Sequence, residues 1–340
     1  MKTLTSATSV ILSLLTLHRL EHWFAAQKNL DLRRFLVGDG RFISSVIDFA
    51  EDSFDAFLQA VSFLPLQPQT RDAIAQIINQ SVASISVVFG LLLHKNQLVT
   101  LVRMKGQTLH PMDVHLIINL VRCSPSLKSA QSHWVPVCLP KFDANGFLYA
   151  NITFSDDLTC LVLLTVDSTQ FYSLDAAKDV VFQRLISTND GEHLSAISSS
   201  SLPLLRDINV PQLRHLVCKY LPASQCAATD WATFYTACAT PGTSDITSPN
   251  SLLLNPLQKD ILSTYRRLHS RLHNPSYPVR MIYQSTPSEA FFAWKNDTFE
   301  VFCTLDPLTT KPNASEIRKT ITKWLNSKKH QIFSLSNPTF

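Results

Sequence analysis

Glycine and charged residues are both scarce in this chain of 340 residues. Only seven glycines occur, and Gly38 and Gly40 are the only two that lie close together. Their spacing yields neither a GxGxxG motif nor a GxxxxGK motif, which argues against a protein that cradles nucleotide phosphates in a glycine-rich loop. Charged residues make up 16% of the chain, against about 25% in typical globular proteins. This composition favours a protein that buries surface against partners.

Close cysteine pairs and long apolar runs are also missing. The seven cysteines include no CxxC pair, so a zinc site made from such pairs is not expected, and their positions within apolar runs favour a reducing compartment. A membrane-spanning helix needs about 20 unbroken apolar residues, but a polar turn at 94–97 interrupts the stretch 85–102. Charged residues follow the apolar run 10–17 directly, which disfavours a signal peptide.

The net charge of +4 comes from scattered basic residues. The densest group consists of Arg266, Arg267 and Arg271, and its simplest interpretation is a solvated helix face. This pattern does not indicate a nucleic-acid partner.

Residues 1–80 are predicted to be helical. Apolar periodicity favours helices over 9–27, 31–36, 42–63 and 70–78. No predicted strand precedes these helices, so we expect their apolar faces to have nothing in this chain to cover them.

The middle of the chain has the pattern of one compact α/β unit. Two apolar runs, 85–93 and 98–102, predict a hairpin. Pro111 suits the first turn of a helix, and apolar residues follow it at helical spacing. Strands over 134–138, 147–154 and 159–166 and a helix over 174–185 come next. The order β-β-α-β-β-β-α predicts a five-stranded antiparallel sheet, and a serine-rich loop is expected over 195–201.

The last part of the chain shows a partly similar order. The pattern favours a helix over 209–221, a variable loop over 222–250 and a long helix that begins at Asn255-Pro256. Three strands are predicted over 279–284, 290–295 and 299–305. Asn313 with Glu316 then resembles a capping box that opens a final helix.

Nucleophilic and metal chemistry both have weak candidates. Cys138 has His133 and Asp143 nearby in sequence, but an offset of five residues on a strand places Cys138 and His133 on opposite faces. We therefore interpret Cys138 as a buried strand residue. His269 and His273 have the i, i+4 spacing of zinc ligands, but they lack the glutamate of an HExxH motif, and Arg271 between them would repel a cation. Neither a catalytic nor a metal site is predicted.

Several segments of the chain together resemble a known family. Residues 109–116, 134–142 and 146–150 look like the vacuolar fusion protein Mon-one family, which is also called SAND. The resemblance extends upstream through 11–16 and 30–34 and downstream from 268 towards the terminus, and it leaves 222–250 unmatched. The signature residues that carry it, which we expect to be mainly structural, are His110, Pro111, Trp134, Pro136, Cys138, Pro140, Lys141, Phe142 and Gly146.

This resemblance implies an α+β fold of tandem longin (profilin-like) domains. The implied order in the middle domain is β-β-α-β-β-β-α-α around an antiparallel five-stranded sheet. The corresponding division is a helical remnant of the first longin domain over 1–80, a second domain over 83–208, and a third over 209–340 with its variable loop at 222–250.

The resemblance also implies a function without cofactor, metal or catalytic residues. Family members pair with a Ccz-one-like three-longin protein and form a guanine-nucleotide exchange factor for the late-endosomal Rab GTPase, which acts in endosome maturation and in vacuole and lysosome fusion. The implied location is cytoplasmic, peripherally bound to phosphoinositide-bearing membranes of endosomes, vacuoles or lysosomes. The candidate partner or acidic-lipid surface consists of Arg33, Arg34, Arg266, Arg267 and Arg271.

One departure from the family leaves alternatives open. Family members begin with a complete first longin domain, whereas this chain begins at what resemble the last helices of that domain. The first alternative is a longin-type trafficking adaptor without exchange activity. The second is a cytosolic enzyme that uses a cysteine or histidine such as Cys138.

Overall fold

The computed structural model describes residues 2–36, 38–128, 131–187, 191–237, 254–335 and 339. The chain separates into two compact units. Unit 1 comprises Met1–Glu51, Val61–Ser201 and Ser334–Phe340, and unit 2 comprises Asp52–Ala60 and Leu202–Phe333. The three-part longin division stays a prediction.

The N-terminal segment of unit 1 is helical, as predicted. Its α-helices are α1 (Lys2–Leu15), α2 (Leu17–Ala26) and α3 (Gly40–Asp52), and a 3-10 turn spans Leu32–Phe35. The single helix predicted over 9–27 is wrong, because Thr16 breaks it. The helix predicted over 42–63 is wrong in its length, because α3 ends at Asp52 and Val61–Ser62 is a strand. Thr16 has a φ of 58° and accepts a hydrogen bond from the Arg19 N–H, which caps α2.

A sheet of five antiparallel strands forms the centre of unit 1. The strands are β2 (Phe89–His94), β3 (Gln97–Arg103), β4 (His133–Leu139), β5 (Asp143–Phe154) and β6 (Thr159–Thr165), and a two-residue strand, β1 (Val61–Ser62), precedes them in the chain. Their order across the sheet is β3-β2-β6-β5-β4. The central strands β2 and β6 are buried along their whole length, which explains why their sequences are nearly continuous apolar runs.

Helices cover both faces of this sheet. They are α5 (Pro68–Val82), α6 (Pro111–Cys123), α7 (Phe171–Ser187) and α8 (Glu192–Ser199). Helix α6 packs against strand residues such as Leu91, whereas α5 and α7 pack against their neighbours such as Leu92 on the opposite face. The predicted order β-β-α-β-β-β-α-α is present in these elements. The loop expected over 195–201 is instead largely helical, because α8 runs to Ser199.

The prediction that the apolar faces of residues 1–80 lie uncovered is wrong for most of the segment. Val10 of α1 and Val46 of α3 are buried against Leu116 of α6. Ile74 and Ile78 of α5 belong to the core beneath the sheet. Helix α2 alone among these helices has no buried residue in the described structure.

Unit 2 repeats the arrangement of a sheet between helices. Its helices are α4 (Phe54–Leu58), α9 (Leu205–Ile208), α10 (Thr233–Ala237), α11 (Pro256–Leu272) and α12 (Lys311–Ile332). Its strands are β7 (Leu213–Tyr220), β8 (Gln225–Ala228), β9 (Met281–Ser285), β10 (Ala290–Lys295) and β11 (Phe299–Leu305). They follow the order β8-β7-β11-β10-β9. Helix α12 packs on one face of this sheet, and α11 and α4 pack on the other.

Three sequence predictions fail in unit 2. The helix predicted over 209–221 is wrong, since Leu213–Tyr220 is strand β7 and pairs with β11. The loop predicted over 222–250 contains strand β8 and helix α10, and its residues 238–250 lie outside the described part of the chain. The Asn313 and Glu316 capping box is also wrong, because α12 begins earlier, at Lys311 after Thr310. By contrast, Asn255 and Gln258 form a capping box at the predicted start of α11.

None of the described helices is both long and apolar enough to cross a membrane.

Candidate functional site

Part of the signature lies at a junction between helix α6 and the turn that joins β4 to β5. The His110 side chain caps α6 by accepting a hydrogen bond from the Met112 N–H at 3.1 Å, and Pro111 opens the helix. The Asp113 carboxylate is buried and accepts the Lys141 N–H at 3.2 Å to both oxygens. Asp113 therefore connects the start of α6 to the turn between β4 and β5.

Side chains of the second signature segment stabilise that turn. The Phe142 ring packs edge-on against Phe89 with the ring centroids 5.2 Å apart. Gly146 lies so close to Asp143 that an added Cβ would stand 2.8 Å from the Asp143 carboxylate. Lys141 is exposed and Pro140 is half-buried. These contacts support the expectation that the signature is mainly structural.

Trp134 and Pro136 lie on the edge strand β4. The Trp134 ring stacks on Tyr149 at 5.6 Å and meets Phe171 edge-on. Pro136 is exposed on this strand, where a missing backbone N–H is tolerated. Both residues thus have structural explanations.

The environment of Cys138 disfavours the nucleophilic thiolate. Its thiol is buried and lies 3.4 Å from the carbonyl oxygen of Asp143, to which it donates. Burial, together with the negative charges of Asp143 and Asp113, raises the pKa of Cys138 to about 11. Reactive cysteines need the opposite shift. The contacts of Cys138 therefore support the buried-strand interpretation.

The arginines proposed from the sequence belong to two different units. Arg33 and Arg34 are exposed in unit 1, and Arg33 forms an ion pair with Asp31 at 2.9 Å. The Asp31 pairing raises the pKa of Arg33 and lowers that of the carboxyl. Arg267 and Arg271 are exposed on α11 of unit 2, and Arg266 is half-buried there. They form two separate groups, and their role as a partner or lipid surface stays a prediction.

A more concentrated basic site lies on α12, and the sequence analysis missed it. This helix carries six Lys or Arg residues and one acidic residue, Glu316. A cavity of about 480 Å³ lies against it, lined by Trp294, Asn296, Arg318, Lys319, Thr322, Lys323 and Asn326. Three of these side chains are cationic and none is acidic. The missed signal was the spacing of Arg318, Thr322 and Asn326 at i, i+4 and i+8 beside Lys319 and Lys323.

Two buried donors of the residues that line this cavity have no hydrogen-bond partner in the described part of the chain. They are the indole Nε1 of Trp294 and the Nε of Arg318. Buried donors are nearly always paired in folded proteins. Lys319, in contrast, pairs with Glu316 at 2.8 Å. The cavity thus offers the cationic side chains of Arg318, Lys319 and Lys323 to an anionic group.

The structure also brings Glu300 to the histidine pair whose i, i+4 spacing the sequence shows. His269 on α11 and His273, which caps the C-terminal end of that helix, face Glu300 of β11. Their Nε2 atoms lie 3.6 and 2.9 Å from the Glu300 Oε1 atom. Glu300 was missed because it is 27 residues away along the chain. Its available signal was a lone charge inside an otherwise buried apolar strand.

The chain is similar to family models and to proteins of known family. Residues 85–183 match the model of the second longin domain of FUZ, MON1 and HPS1, and residues 212–329 match that of the third. Vacuolar fusion protein MON1 homolog A is 33% identical over 97% of this chain in Gallus gallus, where the match covers 57% of the relative. The corresponding Homo sapiens protein is also 33% identical over 97% of this chain, and 48% of it is covered.

A fungal relative shows the same pattern. Vacuolar fusion protein MON1 of Cryptococcus neoformans is 27% identical over 97% of this chain, with 51% of the relative covered. The chain therefore spans about half the length of the curated relatives that it matches. The signature residues, the longin-type order of the elements and these matches agree, and the chain belongs to the MON1 (SAND) family of vacuolar fusion proteins.

Proposed function

We propose that this chain is a subunit of a heterodimeric guanine-nucleotide exchange factor for the late-endosomal Rab GTPase. Its partner would be a Ccz-one-like protein with three longin domains, and the complex would act in endosome maturation and in fusion with vacuoles or lysosomes. The observation that carries the proposal is the match over 97% of the chain to proteins named for vacuolar fusion. The chain itself supplies binding surfaces rather than covalent chemistry.

The membrane part of this proposal rests on the basic cavity of unit 2. Phosphoinositide headgroups carry several negative charges, and Lys and Arg near a membrane surface contribute about 1 kcal/mol each to binding. Arg318 and Lys323 line a cavity that contains no carboxylate. We infer peripheral binding to acidic endosomal membranes through this cavity.

A trafficking adaptor without exchange activity is the second candidate. The two family models match the second and third longin domains. A protein that acts through these two domains would bind its partner and the membrane without accelerating nucleotide release.

Nucleotide-release kinetics distinguish the two candidates. The chain would be co-purified with a Ccz-one-like partner, and release of fluorescent GDP from the late-endosomal Rab would be followed with and without the complex. Faster release supports the exchange factor, whereas stable partner binding with unchanged release supports the adaptor. A complex of the partner with one of the longer relatives serves as the positive control. If the chain fails to bind the partner while the longer relative binds it, both candidates are wrong.

A further inference from the structure

We propose that His269, His273 and Glu300 bind a divalent transition-metal ion of the zinc type in unit 2. The three candidate ligand atoms lie within 4.8 Å of one another. In a tetrahedral site with bonds of about 2.05 Å, neighbouring ligand atoms are about 3.3 Å apart. The separations of 3.6 and 2.9 Å from Glu300 Oε1 to the two Nε2 atoms lie on either side of that value. An ion can enter with small side-chain movements.

Rigid elements hold the three side chains. His269 lies in the last turn of α11, and His273 is the residue that caps its C-terminal end. The centroids of the two imidazole rings are 4.4 Å apart, so both rings lie on the same side. The His269 ring packs between Phe57 and Phe302, with centroid distances of 5.7 and 5.9 Å. Glu300 is the second residue of β11, within the paired part of the sheet. Because these packed elements already restrict the side chains, the ligands lose less conformational entropy when an ion binds.

Burial gives the site one closed and one open side. The Glu300 side chain is 1% exposed and that of His269 is 11% exposed, whereas that of His273 is 36% exposed. An ion would therefore reach the site past His273. Three protein ligands with one accessible side are typical of zinc sites whose fourth position holds water or another ligand. Two imidazoles and a carboxylate suit zinc, because this ion imposes no geometry of its own.

Neighbouring cations do not occupy the ligand positions. Glu300 has two cross-strand lysine neighbours, Lys219 on β7 and Lys295 on β10. The Lys219 ammonium donates to the Leu58 carbonyl oxygen at 2.6 Å, and the close ion pairs of Glu300 are with the two histidines. Arg271 is exposed and lies two residues from each histidine, about 200° around the helix. The sequence-based objection that Arg271 would repel a cation is therefore weak.

Metal titration of the 340-residue chain tests this site. The purification tag would be removed and the protein stripped with a chelator before Zn²⁺ is titrated calorimetrically. We expect one equivalent to bind and the melting temperature to rise with Zn²⁺ concentration, because the ion binds the folded state. Co²⁺ in place of Zn²⁺ should give visible d–d absorption without thiolate charge-transfer bands, since none of the three ligands is a cysteine.

Ligand variants supply the matched comparison. His273→Ala changes an exposed side chain and should weaken Zn²⁺ binding about tenfold or more while the fold is retained; Glu300→Gln should have the same effect where it folds. The control is the double variant His18→Ala, His22→Ala, an exposed i, i+4 pair on α2, which should bind Zn²⁺ unchanged. The proposal is overturned if the stripped chain binds no Zn²⁺, if His273→Ala binds as tightly as the parent, or if Co²⁺ shows thiolate bands.

Discussion

At the scale of single residues, Asp113 links the two separated segments that carry the family signature. Its buried carboxylate accepts the Lys141 N–H, so the start of α6 and the β4–β5 turn depend on each other. The sequence showed Asp113 only as a favourable charge in the first turn of a helix. Its long-range partner, 28 residues away, could not be predicted from local spacing.

Asp113→Ala should lower the free energy of unfolding by about 1 to 3 kcal/mol, because backbone donors lose their acceptor. Asp113→Asn should cost less, since an amide oxygen can still accept the Lys141 N–H. Urea denaturation of both variants measures the difference. Asp179→Ala on the exposed face of α7 is the control and should change stability by less than about 0.5 kcal/mol. Equal losses in the Ala and Asn variants would contradict the role of the hydrogen bond.

The same carboxyl predicts a pH dependence with a definite sign. Burial raises the pKa of Asp113 above its ordinary value of 3.8, against the opposing hydrogen bonds from the Lys141 and Phe142 N–H groups. The folded state therefore binds this proton more readily than the unfolded state. The contribution of Asp113 to stability is greatest below pH 3.8 and falls as the pH rises through the folded-state pKa. In the Asp113→Asn variant, this decrease in the free energy of unfolding with rising pH should be absent.

Cys138 should react slowly in the folded chain. Its pKa of about 11, against 9.0 for an ordinary thiol, leaves about 100-fold less thiolate at pH 8. We expect alkylation of Cys138 by iodoacetamide to be at least about 100-fold slower in the native chain than in urea. Peptide mass spectrometry after timed pulses measures both rates. Rapid native labelling would instead support the enzyme alternative.

At the scale of elements, strand β7 shows where sequence patterns mislead. Leu213, Leu216, Val217 and Tyr220 have the i, i+3, i+4, i+7 spacing of a helix, yet Leu213–Tyr220 is a strand in the interior of the sheet. A strand that is buried on both faces has no alternation to reveal it, so short apolar runs fit either structure. Strands β10 and β11 were predicted with their observed bounds, because clear turns flank them.

Helix α12 supplies a prediction about membranes. The double variant Arg318→Ala, Lys323→Ala should bind phosphoinositide-containing vesicles about 10- to 30-fold more weakly, since each removed charge contributes about 1 kcal/mol. Co-sedimentation with vesicles of graded phosphoinositide content measures this loss. The comparison variant is Arg266→Ala, Arg267→Ala on α11, which removes the same charge from the group proposed from the sequence. A larger loss in the α11 variant would assign the membrane surface to the arginines of that helix.

At the scale of the whole molecule, the sequence identified the family, the α+β class and the middle sheet, because these depend on local patterns and on a recognisable signature. It did not reveal that Asp52–Ala60 belongs to unit 2. Phe57 and Leu58 of this segment lie in the same core as Tyr265 and Phe302. Contacts between residues some 200 positions apart produce no pattern in the local sequence.

Phe57→Ala should therefore destabilise unit 2 selectively. Removal of a buried aromatic side chain costs about 3 to 5 kcal/mol, and Phe57 packs edge-on against Phe302 at 5.8 Å. Hydrogen exchange should accelerate at the amides of β10 and β11 and remain unchanged in β2 and β3. Phe24→Ala on α2, where Phe24 is 39% exposed, should leave both sets unchanged. Faster exchange in β2 and β3 alone would contradict the assignment of this segment to unit 2.

The placement of Asp52–Ala60 in unit 2 also has a consequence for synthesis on the ribosome. Phe57 leaves the ribosome about 245 residues before Phe302, its partner in the core. At about 5 to 20 residues per second, this interval lasts on the order of 10 to 50 s. During that time the apolar side chains of 54–58 lack the strands that later cover them. We therefore expect the nascent chain to expose this apolar segment until the strands of unit 2 have emerged.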